Sequence, residues 1–447
     1  MRTLRVSLAG SFMAMAAAAA SNAPASVTFN RDVLPILQKN CQGCHRPGEV
    51  APMSLLTYSD ARPWAKAIKV AVVSQKMPPW FADPRYGHFA NDRRLSQGDI
   101  NTLVSWVDNG AAEGDAKDKP APLNFQDGWN IKPDMVIEMP KPFNLPATGT
   151  IDYQYVLVKG GFAEDVWVTQ AEMRPGNPKV LHHGKVWVRP PGSHWMEHAV
   201  PGDAYSAGMG RNSISEGNDI LGKFNPGLGA QSFEIGESAK FVPKGSDLVF
   251  ELHYTATGEP TQDRSKLGLV LAKDAPKSRY FLSAGPTALN LAVPPGDNNA
   301  EVVSEVTVGA DGVKLVYAQP HMHLRGKDFE LRAVYPTGES ETVFKGKFDF
   351  DWQLGYNFEK PIALPKGTRL IGISHFDNSL TNKYNPDAAK EVHWGPQNWD
   401  EMSNCFVGLI FDVNTDAGKV FKASGPSLLP RGKSGPTLAA LELAPAR

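Results

Sequence analysis

Gln319-Pro320-His321-Met322-His323-Leu324-Arg325-Gly326 is the stretch on which the reading of this chain turns. It follows Lys314-Leu315-Val316-Tyr317-Ala318, an apolar run that predicts a β-strand. Alternate side chains of a strand share a face, so His321 and His323 point the same way. Two imidazoles side by side make half of a transition-metal site. The remaining donors have to arrive from other parts of the chain.

A chain of 447 residues exceeds one ordinary domain, and roughly two to four are expected. The formal net charge is −1, which argues against nucleic acid or an acidic membrane surface as a partner. The 36 prolines and 41 glycines predict many turns, and hence much β structure in short strands. Arg2 and Arg5 flank the start of an apolar run over residues 6–20, and small residues suited to cleavage follow in 20–25. Residues 1–25 therefore predict a signal peptide, and the mature protein is expected to be exported, periplasmic or secreted. The apolar run is short for a membrane span, and no later stretch is long and apolar enough to be one.

Cys41-Gln42-Gly43-Cys44-His45 has the c-type haem attachment pattern. Two thiols bond the porphyrin edge, and the adjacent imidazole becomes an axial iron ligand. A zinc site would need a second cysteine pair, and the only other cysteine is Cys405. That residue is expected to be a small buried apolar side chain, with no intrachain disulfide. Asn30 is placed to cap a helix through Val33, Leu34, Ile36 and Leu37. Ser59 precedes a second helix through Trp64, Ile68, Val70 and Val73. Ser96 precedes a third through Ile100, Leu103, Val104 and Val107, stopped by Asn109-Gly110. Met77, on the loop Lys76-Met77-Pro78-Pro79-Trp80, is the expected sixth iron ligand. Met53 is the rival, disfavoured because its closeness to His45 in sequence puts it on the wrong face of the haem. Residues 26–112 resemble class I c-type cytochromes, which implies a small all-α domain with one covalent haem c.

An Ala-, Asp-, Lys- and Pro-rich run over 111–122 opens a linker, read as 113–133. From residue 134 the pattern becomes short β-like runs, such as Met135-Val136-Ile137-Glu138-Met139 and Tyr153-Gln154-Tyr155-Val156-Leu157-Val158. These predict β-sandwiches over 134–287 and 288–424, with a poorly ordered tail over 425–447. Histidines recur in Leu181-His182-His183-Gly184, in Phe250-Glu251-Leu252-His253-Tyr254, and in the opening stretch. Singly each is weak, and a lone strand histidine such as His253 is more often structural than a ligand.

Near the other end stands Trp399-Asp400-Glu401-Met402-Ser403-Asn404. The order His-His, His-Tyr, His-x-His, Asp-Glu-Met-x-Asn resembles the copper type II, ascorbate-dependent monooxygenases, among them the peptidylglycine hydroxylating and dopamine β-monooxygenases. The resemblance spans roughly residues 134 to 420. It implies two jelly-roll sandwiches, each holding one copper, facing across a solvent-filled cleft. His182, His183 and His253 would match the electron-storing copper. His321, His323 and Met402 would match the copper that meets dioxygen, where a soft thioether favours Cu(I). Adjacent residues of a flat strand point to opposite faces, so His182 and His183 need a twist or bulge, for which Gly184 supplies freedom.

The family pattern is broken in places. The arginine that grips a substrate carboxylate in the peptide-amidating branch is Gln319 here, and the tyrosine after the methionine ligand is Phe406, while Asn404 matches. Two lost contacts argue against a peptide ending in glycine as substrate. Glu251 replaces a glutamine, adding a charge beside the electron-storing site. His375 either faces the second copper or caps a turn, the latter preferred, and His194 and His198, four apart, are read as solvated rather than as sharing a helical face. Asp400 and Glu401 are read as solvated too.

The chain is thus expected to be a copper- and oxygen-dependent monooxygenase acting on a C–H bond of a small molecule. Two copper ions and one haem c are its cofactors, with ascorbate or a redox protein as electron donor. The alternative is an electron-transfer or copper-holding protein with the same ligands and no turnover.

Overall fold

The computed structural model describes residues 26–49, 51–125, 128–206, 219–225 and 228–422. The expected signal peptide and the expected unordered tail lie outside the described residues. Among the described residues the α-helices lie in the first part of the chain, and the rest is mainly β-sheet, with one short 3-10 turn at Ala417–Lys419.

Thr28, not Asn30, is the extended residue that opens the first helical segment, Phe29–Val33 and Leu34–Asn40. Asn30 instead turns its amide onto the carbonyl of Asp115, 3.2 Å away. Phe29 N and Asn30 N donate to the carbonyls of Ala112 and Glu113. The start of the expected linker is therefore tied to the first helix. Thr57, not Ser59, caps the second helix, accepting from Asp60 N. In Ala65–Val73 the buried residues are Ala65, Ile68 and Val72. Val70 and Val73, expected to point inward, are 68% and 57% exposed. Positions 65, 68 and 72 keep one face of a 3.6-residue period, and 70 and 73 fall outside it. Gln97–Asp108 begins where expected, with the Ser96 side chain accepting from Asp99 N. It stops at Asn109 and Gly110, whose φ is +88°.

Residues 80–91 leave the helices and form a strap on the second half of the β region. Asp83 N donates to Lys345 O at 2.8 Å, Ala90 N to Asn357 O at 2.9 Å, and Glu359 N to His88 O at 2.8 Å. Trp80 packs into the same core, with its ring centroid 4.8 Å from that of Tyr356. Trp80→Ala is therefore expected to cost about 3–5 kcal/mol of stability. Its denaturation midpoint should fall for the helices and the second β core together, not for the helices alone.

Two apolar cores fill the β region. In the first, a five-stranded sheet ordered Ala204–Ser206, Gln154–Lys159, Asp247–Tyr254, Leu181–Arg189, Ile220–Phe224 packs on one half of a nine-stranded sheet. Val156, Val186 and Leu252 meet Val168, Val242 and Leu269 there. In the second, the strands Ala300–Thr307, Arg369–Phe376, Gly326–Val334 and Ser340–Lys347 pack on the other half. Phe329, Leu331 and Leu370 meet Phe281, Leu315 and Leu409. The nine-stranded sheet is continuous between the two because Ser278–Ser283 pairs in parallel with Ser238–Val242. This shared sheet holds the two histidine-bearing halves in a fixed relation.

Candidate metal centre

His182 and His183 lie on the strand Leu181–Arg189, and His253 lies on its neighbour Asp247–Tyr254. His183 pairs with His253, but Tyr254 pairs with Leu181, so His182 is an extra residue in the ladder. This bulge turns adjacent histidines toward one another. The centroids of His182 and His183 are 5.3 Å apart, those of His182 and His253 5.7 Å, and those of His183 and His253 4.9 Å. Gly184 has no positive φ. What it provides is space: a Cβ there would stand 2.6 Å from Met173 Cε. Tyr153 braces the trio, with its hydroxyl 2.9 Å from His183 Nε2 and its ring stacked on His253 at 4.4 Å.

His321 closes the strand Val313–His321 opposite Asn404, and His323 follows with its ring 5.3 Å from that of His321. Glu401 joins Met402 to this pair. Its Oε2 accepts from His323 N at 2.8 Å and from Met402 N at 3.3 Å, while Oε1 accepts from Arg325 N at 2.7 Å. Glu401 was expected in solvent and is instead fully buried. Burial pushes its carboxyl up to about 8, against the pull of those donors and of the Arg325 charge. Its backbone acceptor role is what holds the Met402 segment beside His323. His321 Nδ1 donates to Gln353 Oε1 at 2.5 Å, and His323 Nδ1 faces the Asp400 carbonyl at 3.3 Å. Both contacts fix the tautomer that leaves Nε2 with its lone pair.

The two histidine sets abut. The centroids of His183 and His321 are 6.2 Å apart. Both are buried, as are His253 and His323, and His182 is half-buried. Among the described residues, no solvent-filled cleft separates the two sets where His183 meets His321. Residues 348–354 explain the closure: Phe350 stacks on His182 at 5.1 Å, and Gln353 holds His321. Gln397 Nε2 adds a latch to Asp152 Oδ1 at 2.8 Å.

Burial lowers the basicity of all five imidazoles, His253 to about 3 and His323 to about 4. Neutral imidazoles are the form that ligates metal. His182 Nε2, His183 Nδ1, His253 Nδ1 and His323 Nε2 are buried without a hydrogen-bond partner. Orphaned nitrogens on neighbouring rings from two sheets are unusual in a packed core, and imidazole donors suit soft or borderline metal ions. Among the described residues, no three His, Cys, Asp or Glu side chains already have their donor atoms gathered at one point. The rings are neighbours; bringing three onto one ion takes ring rotation.

Gln319 is buried in a network of its own. Its Oε1 accepts from Lys223 Nζ and from the Tyr317 hydroxyl, and its Nε2 donates to Gln353 O at 2.8 Å. Lys185 and Lys223 place their Nζ atoms 5.2 and 5.0 Å from the Phe406 ring centroid. The charge expected from Glu251 is not free, because its carboxylate accepts from Lys185 Nζ at 2.7 Å and from Trp187 Nε1 at 2.9 Å.

At the haem motif, Cys44 N and His45 N both donate to Cys41 O, so one turn carries both free thiols and the imidazole. His45 Nδ1 faces the Met53 carbonyl at 3.3 Å, which leaves Nε2 for a ligand and puts Met53 beside His45. Two unpaired thiols and an oriented imidazole on one turn fit a covalent haem. Met77 lines a cavity of about 880 Å³ with Val72, Leu95 and Ile100. Cys44 opens onto a different and smaller one, with Met173 and Arg174. Arg174 also pairs with Glu49 at 2.9 Å, clamping the motif onto the first β core.

Cys405 is buried, as expected. His194 and His198 are exposed around Glu197. His375 caps no turn: it lies within the strand Arg369–Phe376, with Nδ1 2.7 Å from Asp328 Oδ1. Sequence reasoning missed Tyr153, Phe350, Gln353 and Lys223. Each acts through a tertiary contact that no local spacing announces.

No family model matches this chain, and no curated protein matches it. Among solved structures it is similar to the major capsid protein P2 of bacteriophage PM2, at 12% identity over 62% of this chain and 98% of that one, with a TM-score of 0.28. The VP2 subviral particle of infectious bursal disease virus matches at 12% identity over 65% and 75%, with a TM-score of 0.19. PNGF-II matches at 10% identity over 62% and 60%, with a TM-score of 0.22. Likenesses at these scores carry no argument. No helix among the described residues is long and apolar enough to cross a membrane.

Proposed function

We propose that this protein is an exported two-copper monooxygenase of two jelly-roll sandwiches fused to a c-type cytochrome. One observation carries the reading: His182, His183, His253, His321 and His323 form a buried run of ring contacts in which ring nitrogens lack partners. His182, His183 and His253 would hold one copper, and His321, His323 and Met402 the other. Cys41, Cys44 and His45 would hold the haem, with Met77 as sixth ligand. Bound copper supplies one-electron steps and the activation of dioxygen.

The chain's own residues set the conditions for that chemistry. Gln353 and the Asp400 carbonyl hold His321 and His323 in the ligating tautomer. Tyr153 holds His183 and His253. Glu401 keeps the Met402 backbone at His323. Phe350 shields His182 from bulk water. The overall reaction is R–H + O2 + 2 electrons + 2 protons → R–OH + H2O. Both electrons come from ascorbate or a protein donor, with the haem as the entry point for the latter.

Oxygen uptake by the copper-loaded full chain, with ascorbate and a panel of small C–H substrates under 18O2, tests the proposal. One labelled oxygen in the hydroxylated product is expected. Product oxygen drawn only from water would contradict it.

A further inference from the structure

A cavity of about 430 Å³ lies where the two β halves meet, lined by Ile151, His253 and Tyr254 on one side and Gln397, Asn398 and Trp399 on the other. Its volume is in the range of small-molecule sites. The Gln397–Trp399 side belongs to the turn closed by Asp400 N on Gln397 O, and the Asp400 carbonyl of that turn faces His323. The cavity thus touches His253 of the first histidine set and the turn that holds His323 of the second.

Its chemistry is specific. Among the described residues, no aspartate, glutamate, lysine or arginine lines it. Asp152, next in sequence to Ile151, is engaged by Gln397 Nε2. Trp399 is 47% exposed although it is a large aromatic side chain. Asn398 Oδ1 is buried with no hydrogen-bond partner, a loss that a ligand's N–H or O–H would repair.

We propose that this cavity is a ligand site beside the first histidine set, and that it takes an uncharged molecule with an apolar or aromatic body and one hydrogen-bond donor. Trp399 covers the body and Asn398 accepts the donor. That selectivity does not rest on the oxygenase reading.

The test is equilibrium binding of three matched probes, benzyl alcohol, benzoate and benzylamine, to the full-length protein by calorimetry. Copper is counted separately in the same samples. Benzyl alcohol is expected to bind about tenfold or more tightly than either charged probe, since a charge placed there has no partner. Trp399→Ala, at an exposed position, and Asn398→Leu should each weaken benzyl alcohol by about fivefold or more. Equal or tighter binding of benzoate or benzylamine, or no effect of either variant, would overturn the proposal. Selective binding by a protein that never holds copper would leave the cavity and remove the oxygenase reading. Two coppers without probe binding would do the reverse.

Discussion

Met402→Leu is expected to abolish oxygen-dependent turnover while the fold survives. Leucine and methionine are close in volume, and such exchanges usually cost less than about 1.5 kcal/mol. Met402 is half-buried, and its backbone hydrogen bond to Glu401 does not depend on the side chain. What disappears is the only soft donor assigned to the second site. Changes behind a metal ligand already cost about 10–100-fold, so loss of the ligand should cost at least about 100-fold in turnover. Copper should fall from about two per chain to about one, the remainder held by His182, His183 and His253. A copper-holding protein without oxygenase activity would have no turnover to lose. An oxygen electrode and metal analysis of one preparation decide between the two.

Cys41→Ala/Cys44→Ala is expected to separate the two electron sources. Haem colour that survives denaturation should vanish, because both thioether bonds need these sulfurs. Turnover driven by ascorbate should persist, and turnover driven by a reduced protein donor should fall by at least about tenfold. The docking of the motif argues for this outcome. Glu49 is paired with Arg174, and Arg46 Nη2 donates to Asn130 Oδ1 at 3.1 Å. Cys44 shares a cavity wall with Met173, whose thioether end packs against Gly184, next to His183. The attachment turn itself therefore stands a few side chains from the first histidine set. Equal losses with ascorbate and with the protein donor would assign the haem a structural role instead.

Much of this arrangement is readable in the sequence, for local reasons. The apolar run before His-x-His predicts its own strand, which takes in His321 and stops before His323. The Ser96 cap and the Asn109-Gly110 stop predict the last helix, because caps act within a few residues. The bulge at His182 follows from requiring adjacent histidines to converge. The unreadable parts depend on distant contacts. Residues 80–91 look like an ordinary loop after Met77, yet Trp80 and Ala82 belong to a core built more than 200 positions later. Gln353 directly follows Asp349-Phe350-Asp351-Trp352, a turn with no motif. Glu401 resembles a solvated turn residue, and its burial comes from the backbone of residues 323–325 arriving above it. Val70 and Val73 show the converse, apolar residues left outside because a short helix has only one inward face.

X-ray absorption at the copper edge of the reduced, copper-loaded protein tests most directly whether imidazole and thioether meet. The account predicts sulfur scattering equivalent to about one sulfur for every two coppers, absent from the Met402→Leu variant. Nitrogen and oxygen neighbours alone in the unaltered protein, or a sulfur signal unchanged by Met402→Leu, would contradict it.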